Sequence, residues 1–302
     1  MRVGVTGSSG FIASALREAL VARGDEVVPF VRPDSAHVAG PTIRWDPSRG
    51  LLDETDATSV GPLDAVVNLA GAGIGDHRWS EARRELLRTS RLASTSLIVD
   101  SLGLLEATTL VSGSAIGYYG SRAEETLDES SSPGDDFLAR LCRDWEGKAS
   151  SAPGHVRVCH LRTGIVLGAA GGALKRQLPL FRLGLGGRLG RGDQWMSPIS
   201  LVDTVRAILF AIDSNLRGPL NLTAPAPLTN AEFTRVLGRA LHRPTALAVP
   251  KAALALVLGR GLSEGAILAS QRVLPPRLLE SGFTFHHPDA NAIVAAALST
   301  SN

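Results

Sequence analysis

A chain of 302 residues is long enough for one large domain, or for a main domain with a smaller lobe. Hydrophobic residues make up 44% of it and charged residues 20%, which is typical of a globular protein. The net charge of +2 gives no basis for binding nucleic acid or a membrane surface, and no apolar run is long enough to span a bilayer. Its two cysteines lack metal-ligand spacing and no secretory signal precedes the first predicted strand, so we expect a cytoplasmic protein.

The first 32 residues have the pattern of a strand, a glycine-rich turn, a helix and a second strand. An apolar run over residues 2–6 leads into Gly7 and Gly10, and an amphipathic helical pattern then continues to Gly24. At such a turn, backbone N–H groups lie at the positive end of a helix and approach a pyrophosphate closely. Gly7 permits the tight turn, Gly10 the approach of the phosphate and Ala13 the packing of helix on strand. The pattern predicts a dinucleotide-binding βαβ unit.

The end of the second predicted strand selects the cofactor. A site for NAD usually has an acidic residue there, whereas this chain has Val31 followed by Arg32. An arginine binds a 2′-phosphate through charged, forked hydrogen bonds. Arg32 therefore favours NADP(H) over NAD(H), with two alternatives left open. Arg32 could be an ordinary solvated surface residue, and Asp34 could still contact a ribose.

Strands and helices continue to alternate through the first half of the chain. The predicted strands cover residues 42–45, 63–69, 108–112 and 156–161, and the predicted helices cover residues 79–105 and 136–149. Ala70 and Gly71 directly follow one of these strands, where a small-residue turn suits the edge of a bound cofactor. An ordinary βα turn is the alternative. Arg91, on the first of these helices, is a further candidate for the pocket.

A second stretch with chemically useful side chains lies at residues 113–120. Reduction of a carbonyl needs a proton donor close to the hydride donor. Ser114 is predicted to polarise the substrate oxygen, and Tyr118 or Tyr119 is the candidate proton donor. The acidic, serine-rich segment 122–136 is predicted to be a loop over the site.

The regular alternation ends in a glycine-rich segment at residues 168–193. Helices are predicted over residues 199–212, 230–241, 251–258 and 265–270. We expect an α/β fold with a Rossmann-type, doubly wound, mostly parallel sheet and a small C-terminal substrate lobe. The domain boundaries that we expect are residues 1–167 and 199–224 for the Rossmann domain, and residues 168–198 and 225–302 for the lobe. His286 and His287 lack partners at metal-ligand spacing, so we predict a surface turn there and no metal site.

Several segments in combination resemble one known family, the epimerase-like branch of the extended short-chain dehydrogenases/reductases. They are TGSSGFIASAL, NLAG, SGSAIGYYG, DFLARLCRDWE, LRTGIVLG, GPLNLTAPAPLTNAEFTRVLGRALHRP and SQRVLPPRLLESGFTF. Proteins of this branch are described as nucleoside-diphosphate-sugar epimerase-like or cell-division inhibitor-like and bind NADP. The resemblance covers nearly the whole chain and implies a substrate site in the cleft between a Rossmann domain and a small lobe.

The resemblance also implies roles for individual residues. It places Gly7, Ser9, Gly10, Phe11 and Ile12 at the pyrophosphate, Arg32 at the 2′-phosphate, Ala70 and Gly71 beside the ribose, and Ser112, Ser114 and Thr163 near the nicotinamide. Family members often have Trp and His in the loop before the helix that contains Asp203. This chain has Pro198 and Ser200 there, which weakens a substrate role for that loop.

One family feature is missing. Catalytic members of the wider superfamily carry Tyr-x-x-x-Lys on the helix after the serine-bearing strand, where the ammonium lowers the pKa of the phenol. Counted back from Glu146, these positions hold Leu138 and Cys142. Tyr118 and Arg122 have the right interval, but the intervening glycine argues against a shared helical face.

The sequence therefore supports two functional hypotheses. The first is an NADP(H)-binding oxidoreductase or epimerase-like enzyme for a small carbonyl compound or a sugar nucleotide. The alternative is a non-catalytic NADPH-binding redox sensor or regulatory protein. The retained Ser114 and the predicted lobe favour the first hypothesis, and the missing Tyr and Lys favour the second. The sequence identifies neither the substrate nor the oligomeric state.

Overall fold

The computed structural model describes residues 1–35, 40–169 and 171–299. The strands are β1 (Arg2–Thr6), β2 (Glu26–Val31), β3 (Ile43–Asp46), β4 (Leu51–Leu52), β5 (Ala65–Asn68), β6 (Thr109–Ala115), β7 (Thr126–Leu127), β8 (Arg157–Thr163), β9 (Ile165–Gly168), β10 (Gly187–Leu189), β11 (Trp195–Met196), β12 (Pro198–Ser200), β13 (Gly218–Leu222), β14 (Leu228–Thr229), β15 (Leu247–Val249) and β16 (Arg272–Val273). The helices are α1 (Phe11–Arg23), α2 (Glu54–Val60), α3 (Glu81–Ser101), α4 (Phe137–Ser150), α5 (Gly172–Arg182), α6 (Leu201–Asp213), α7 (Asn230–Ala240), α8 (Lys251–Leu258), α9 (Arg260–Leu262), α10 (Pro276–Glu280) and α11 (Ala290–Ser299), with a 3₁₀ turn over Ile116–Tyr119 and a π-helical turn over Ser263–Ile267.

The central sheet confirms the predicted doubly wound architecture. Within the described ranges it has the strand order β13-β8-β6-β5-β1-β2-β3-β4. Neighbouring strands run parallel, except that β4 is antiparallel to β3. The chain builds outward from β1 through β2 and β3 on one side and through β5 and β6 on the other. The order reverses between β1 and β5, and ligands of such sheets bind outside the carboxyl ends of the strands at that point.

Apolar residues on both faces of the sheet explain why the helices pack there. On one face, Leu16 and Leu20 of α1 are fully buried against Val3 and Val5 of β1. The two leucines are four residues apart and so lie on the same side of the helix. On the other face, Ile98 of α3 packs in a second core beneath β2, β3 and β5. The sheet is therefore covered on both faces, as a parallel sheet requires.

A third apolar core lies in the C-terminal half of the chain. It unites α5, α7 and α11 around Phe233, Leu237 and Ile293, all of which are buried. Leu278 and Phe283, in contrast, pack in the main core beside α1 and α6. The predicted domain boundaries stay a prediction.

Some predicted elements differ from the structure. The helix predicted to begin at residue 199 begins at Leu201, because Pro198–Ser200 forms a strand and the Ser200 side chain caps the helix. Of the helix predicted over residues 265–270, only residues 265–267 are helical, as the end of the π-helical turn. The short β4 and α2 were not predicted, and the predicted loop 122–136 contains β7, which pairs with β16. None of the helices in the described ranges has the length and apolar content needed to cross a bilayer.

Candidate functional site

The first glycine-rich turn is built so that only glycine fits at its start. Gly7 has a φ of +63°, and a Cβ there would lie 2.9 Å from the carbonyl oxygen of Leu69. The N–H of Gly10 donates to the carbonyl of Gly7 at 2.8 Å, which closes the turn. A Cβ on Gly10 would lie 3.0 Å from that same carbonyl oxygen. The turn therefore keeps its backbone open at the switch point of the sheet.

The N-terminus of α1 follows the turn directly. Gly10 is its N-cap residue, no side chain of the described residues caps it, and its first turn contains no acidic residue. Ser9 and Gly10 are both exposed. The first N–H groups of a helix need partners from outside the helix, and together with the helix dipole they favour an anion. This end of α1 can hold a phosphate.

Phe11 and Ile12 have different surroundings. The half-buried Phe11 ring packs directly against Gly168, Gly171 and Gly172, where a Cβ on Gly171 would clash with the ring. Ile12 is half-buried and packs against the main core. Phe11 therefore joins the first glycine-rich turn to the glycine-rich segment that follows β9.

Arg32 lies at the end of β2 and is largely exposed. Its Nη1 donates to Oδ1 of Asp46 at 2.7 Å, and 56% of its side chain remains accessible. Hydrogen bonds from Ser48 are the largest cause that lowers the pKa of Asp46, with smaller contributions from Arg32 and Arg49. Arg32 thus offers a largely exposed guanidinium at the end of β2, but a carboxylate already pairs with it.

The turn after β5 is held by one buried hydroxyl. Thr6 donates to Oδ1 of Asn68 at 2.7 Å and accepts from the N–H groups of Leu69 and Ala70 at 3.0 and 3.1 Å. Ser112 pairs with Asn68 in the sheet and is fully buried. The backbone at Ala70 is therefore fixed at the carboxyl edge, next to the first glycine-rich turn.

Arg91 of α3 reaches under that same turn. Its side chain is nine-tenths buried and its Nη1 donates to the carbonyls of Ala72 and Leu87 at 3.0 and 3.1 Å. Its guanidinium lies over the ring of Trp145, 5.2 Å from the centroid. A Cβ on Gly71 would come within 3.1 Å of the Arg91 side chain, so the glycine leaves room for that side chain. Burial lowers the pKa of the Arg91 guanidinium.

Ser114 belongs to a buried polar network. Its hydroxyl donates to Oε1 of Glu146 at 2.6 Å. Arg162 donates to both oxygens of Glu146 at 2.9 Å, through Nε and Nη2. Ser114 and Arg162 are direct neighbours in register on β6 and β8, and Glu146 approaches from α4. The carboxylate therefore fixes the direction of the Ser114 hydroxyl.

The two tyrosines occupy different environments within the 3₁₀ turn. Tyr119 is fully buried, donates to Oδ1 of Asn221 at 2.7 Å and accepts from Nη1 of Arg162 at 3.0 Å. Burial raises its pKa to about 12, against the opposing effect of Arg162. Tyr118 is only half-buried, and the Arg162 guanidinium lies 3.5 Å from its ring centroid. Only Tyr118 keeps part of its surface accessible.

The positions of the missing Tyr and Lys are filled by buried packing. Leu138 and Cys142 lie on the inner side of α4. A Cβ on Gly117 would lie 3.2 Å from Cβ of Leu138, so this glycine lets the 3₁₀ turn rest on the helix. Burial raises the pKa of the Cys142 thiol to about 12. Neither side chain offers a proton at neutral pH.

Thr163 lies at the end of β8, half-buried, between Ala115 of β6 and Leu222 of β13. Its hydroxyl donates to the carbonyl of Leu161 at 3.1 Å.

The loop before α6 has a structural role. Ser200 caps that helix, and His287 is half-buried with Nδ1 2.9 Å from the Ser200 hydroxyl. No group of His, Cys, Asp and Glu in the described part of the chain could hold a metal ion.

Reasoning from the sequence missed three members of the network, Glu146, Arg162 and Asn221. Arg162 and Asn221 pair in register on β8 and β13, so these strands place them side by side. The sequence signal that could have indicated Arg162 and Asn221 is that polar residues occupy the carboxyl ends of otherwise apolar strands. Glu146 belongs to the segment DFLARLCRDWE, but its partners come from other elements.

Comparison with protein families gives two matches along the chain. Residues 3–222 match the NAD dependent epimerase/dehydratase family. Residues 249–297 match a domain of unknown function (DUF1731). The first match covers the central sheet except for Arg2, and the second covers α8 to most of α11.

Relatives are similar to this chain over nearly its full length. An epimerase family protein of Mycobacterium bovis is 46% identical over 287 residues, which is 94% of this chain and 93% of the relative. The crystal structure of human epimerase family protein SDR39U1 (isoform 2) with NADPH has a TM-score of 0.89 at 34% identity and covers 99% of both chains. A nucleoside-diphosphate sugar epimerase from Corynebacterium glutamicum has a TM-score of 0.77 at 33% identity, over 99% of this chain and 58% of that one.

Proposed function

Because the chain belongs to the NAD dependent epimerase/dehydratase family, we propose that it binds NADP(H) and oxidises or reduces a small hydroxyl or carbonyl compound. A sugar nucleotide is the favoured substrate class, since the similar Corynebacterium glutamicum protein is described as a nucleoside-diphosphate sugar epimerase. The observation that carries the chemistry is the hydrogen bond from Ser114 to Glu146.

The cofactor assignment is supported by the glycine-rich turn before α1 and by Arg32 at the end of β2. The open turn at Gly7 and Gly10 and the N-terminus of α1 suit a pyrophosphate. Arg32 offers a largely exposed guanidinium at the end of β2, where a 2′-phosphate would add a second anion beside Asp46. The similar human protein was crystallised with NADPH. These residues fit NADP(H), which supplies or accepts a hydride when bound.

The orientation of Ser114 favours oxidation of a substrate hydroxyl as the first half-reaction. Its own proton is donated to Glu146, so the Ser114 oxygen can act as the acceptor for that hydroxyl. As hydride leaves the substrate carbon, the hydroxyl proton passes to Ser114 and the proton of Ser114 passes to Glu146. In the reverse direction the same groups return the proton to a carbonyl oxygen. Ser114 and Glu146 would thus take over the role of the missing phenol.

Tyr118 is the second candidate for proton transfer. It is half-buried, and the Arg162 guanidinium lies over its ring, 3.5 Å from the centroid. The Tyr119 hydroxyl already has two buried partners and a raised pKa, which argues against it as a donor. Of the two tyrosines, we therefore assign a substrate contact to Tyr118.

One observation supports the non-catalytic alternative. The two positions that usually carry the acid and its cation hold buried, neutral Leu138 and Cys142. A protein that only senses NADPH would need the cofactor surface and no proton relay. A cytoplasmic location stays a prediction, supported by two free, buried cysteines.

The test combines cofactor binding with turnover. NADPH fluorescence titration should give saturable binding, and a panel of nucleotide sugars and small alcohols with NADP⁺ should reveal a substrate by absorbance of the NADPH formed. Ser114→Ala and Glu146→Gln are then expected to lower kcat by about 10²-fold or more, with little effect on NADPH affinity. Ser130→Ala, at an exposed turn, is the matched control. Binding without turnover of any compound would favour the sensor, and full kcat in Ser114→Ala would remove the relay.

A further inference from the structure

Arg91 carries a buried positive charge that no carboxylate in the described ranges neutralises, and we propose that this charge makes the protein bind NADPH in preference to NADP⁺. The inference rests on the proposed NADP(H) site and adds a preference between the two redox forms of the cofactor. It also gives the sensor hypothesis a physical basis, because a protein that distinguishes the two forms can report their ratio.

The partners of Arg91 are dipoles and an aromatic ring. Its Nη1 donates to the carbonyls of Ala72 and Leu87, and its guanidinium lies over the Trp145 ring. These contacts satisfy hydrogen bonds but add no negative charge. Only 8% of the residue is exposed, so water screens the charge weakly. An arginine remains protonated even in such surroundings.

The titratable neighbours leave the charge uncompensated. Glu146 of α4 is held by Arg162, so this pair is neutral in sum. The Cys142 thiol, also on α4, is neutral because burial raises its pKa to about 12. On α3, Arg83 adds another positive charge, with Asp76 at 4.0 Å on the loop after β5. Neither α3, α4 nor that loop supplies Arg91 with an anion of its own.

The topology places Arg91 at the nicotinamide end of the proposed site. The pyrophosphate belongs at the N-terminus of α1, between β1 and β5. Arg32 on β2 marks the side of the 2′-phosphate and therefore of the adenosine. The nicotinamide then falls on the opposite side, toward β5 and β6. Arg91 lies there, in contact with Gly71 in the turn after β5.

The two redox forms differ in charge at that end of the cofactor. The oxidised nicotinamide ring is positively charged and the reduced ring is neutral, while the phosphates and adenosine are the same in both. A buried cation near the ring raises the free energy of the oxidised complex and leaves the reduced one nearly unchanged. We expect NADPH to bind about tenfold more tightly than NADP⁺, which corresponds to about 1.4 kcal/mol.

The experiment measures the ratio of two dissociation constants by calorimetry, for NADP⁺ and for NADPH on the same protein. The wild type is expected to favour NADPH by about tenfold and Arg91→Lys to keep most of that preference, whereas Arg91→Gln is expected to reduce the ratio to about one. Arg88→Gln is the matched control, since it removes the same charge from the exposed side of α3. A purely structural role for Arg91 would weaken both forms equally and leave the ratio unchanged.

Each outcome decides one question. If neither form binds the wild type, the NADP(H) assignment is wrong and this inference with it. If both forms bind the wild type equally, or if Arg91→Gln keeps the wild-type ratio, the assignment stands and the charge effect is refuted. Should Arg91→Gln fail to fold, Arg91→Met removes the same charge, and its ratio compared with that of Arg91→Lys decides the matter.

Discussion

The Glu146–Arg162 pair offers the sharpest test of how the network is built. The two side chains are 10% and 4% exposed and are joined by two hydrogen bonds of 2.9 Å. Removing one partner of such a pair leaves the other charge buried and alone, which typically costs about 3–5 kcal/mol. Glu146→Gln keeps one acceptor for Ser114 and should lie near the lower end of that range. Glu146→Ala removes every acceptor and should lie near the upper end.

Urea unfolding at neutral pH measures this free energy, and the midpoint is the quantity to compare if the slope is unchanged. The double variant Glu146→Gln/Arg162→Met should recover part of the loss, because no buried charge is left unpaired. Asp144→Asn is the control, since its pair with Arg88 is exposed and should be worth about 0–1 kcal/mol. A loss below about 1 kcal/mol in Glu146→Gln would refute the view that the pair is buried and isolated from water.

Gly7→Ala is expected to abolish NADPH binding in a fluorescence titration and to lower the free energy of unfolding by about 1–3 kcal/mol. The reason is that the positive φ of Gly7 and the neighbouring backbone leave no room for a Cβ. An unchanged affinity for NADPH would contradict this. Tyr119→Phe is expected to cost about 1–3 kcal/mol in urea unfolding, since it leaves two buried partners unpaired. Tyr118→Phe keeps its ring over the Arg162 guanidinium, so it should change the free energy of unfolding by less than about 0.5 kcal/mol while it lowers kcat. Equal urea midpoints for Tyr118→Phe and Tyr119→Phe would show that the two tyrosines do not differ in this way. Arg32→Ala is expected to weaken NADPH binding about three- to tenfold and to leave the affinity for NADH unchanged. The loss is modest because the Arg32 charge is largely exposed and shared with a carboxylate. Equal losses of affinity for both cofactors would show that Arg32 does not contact the 2′-phosphate. Burial raises the pKa of Glu129 above its ordinary value of 4.5. Between pH 4.5 and the raised pKa, the folded chain therefore binds more protons than the unfolded chain. The free energy of unfolding of the wild type falls as the pH rises through this range. Unfolding curves of Glu129→Gln should lack this fall, and parallel pH profiles would refute it.

The parts of the fold that depend on local pattern were predictable from the sequence. The strand, glycine turn and helix at the N-terminus follow from residue spacing, and the comparisons confirm the predicted family and the Rossmann-type sheet. Short elements were missed because two-residue strands such as Leu51–Leu52 carry no periodic signal. The exact start of α6 depended on a pairing between Pro198–Ser200 and β9, which lies far away in the chain.

The site was only partly predictable because its contacts join distant segments. Ser114 stood out from its position after an apolar strand, but its partner Glu146 lies 32 residues further along on another element. Tyr118 and Tyr119 are adjacent in sequence, and only the 3₁₀ turn gives them different burial. The carboxylate beside Arg32 comes from Asp46 on β3, which spacing along the chain does not indicate. The roles of these residues stay predictions until variants are measured.

The absence of the usual Tyr and Lys is best understood together with the position of Arg91. In the usual pair α4 provides the cation, whereas here the buried cation is Arg91 of α3, which interacts with the Cys142 thiol of α4. A lysine in place of Cys142 would put a second cation beside Arg91, and the nearest carboxylate, Glu146, is already held by Arg162. Two buried like charges without an anion are strongly unfavourable. The cation of α3 and the cation of α4 therefore exclude each other. With Leu138 packed on the 3₁₀ turn as well, neither position of the usual pair leaves room for its Tyr or Lys.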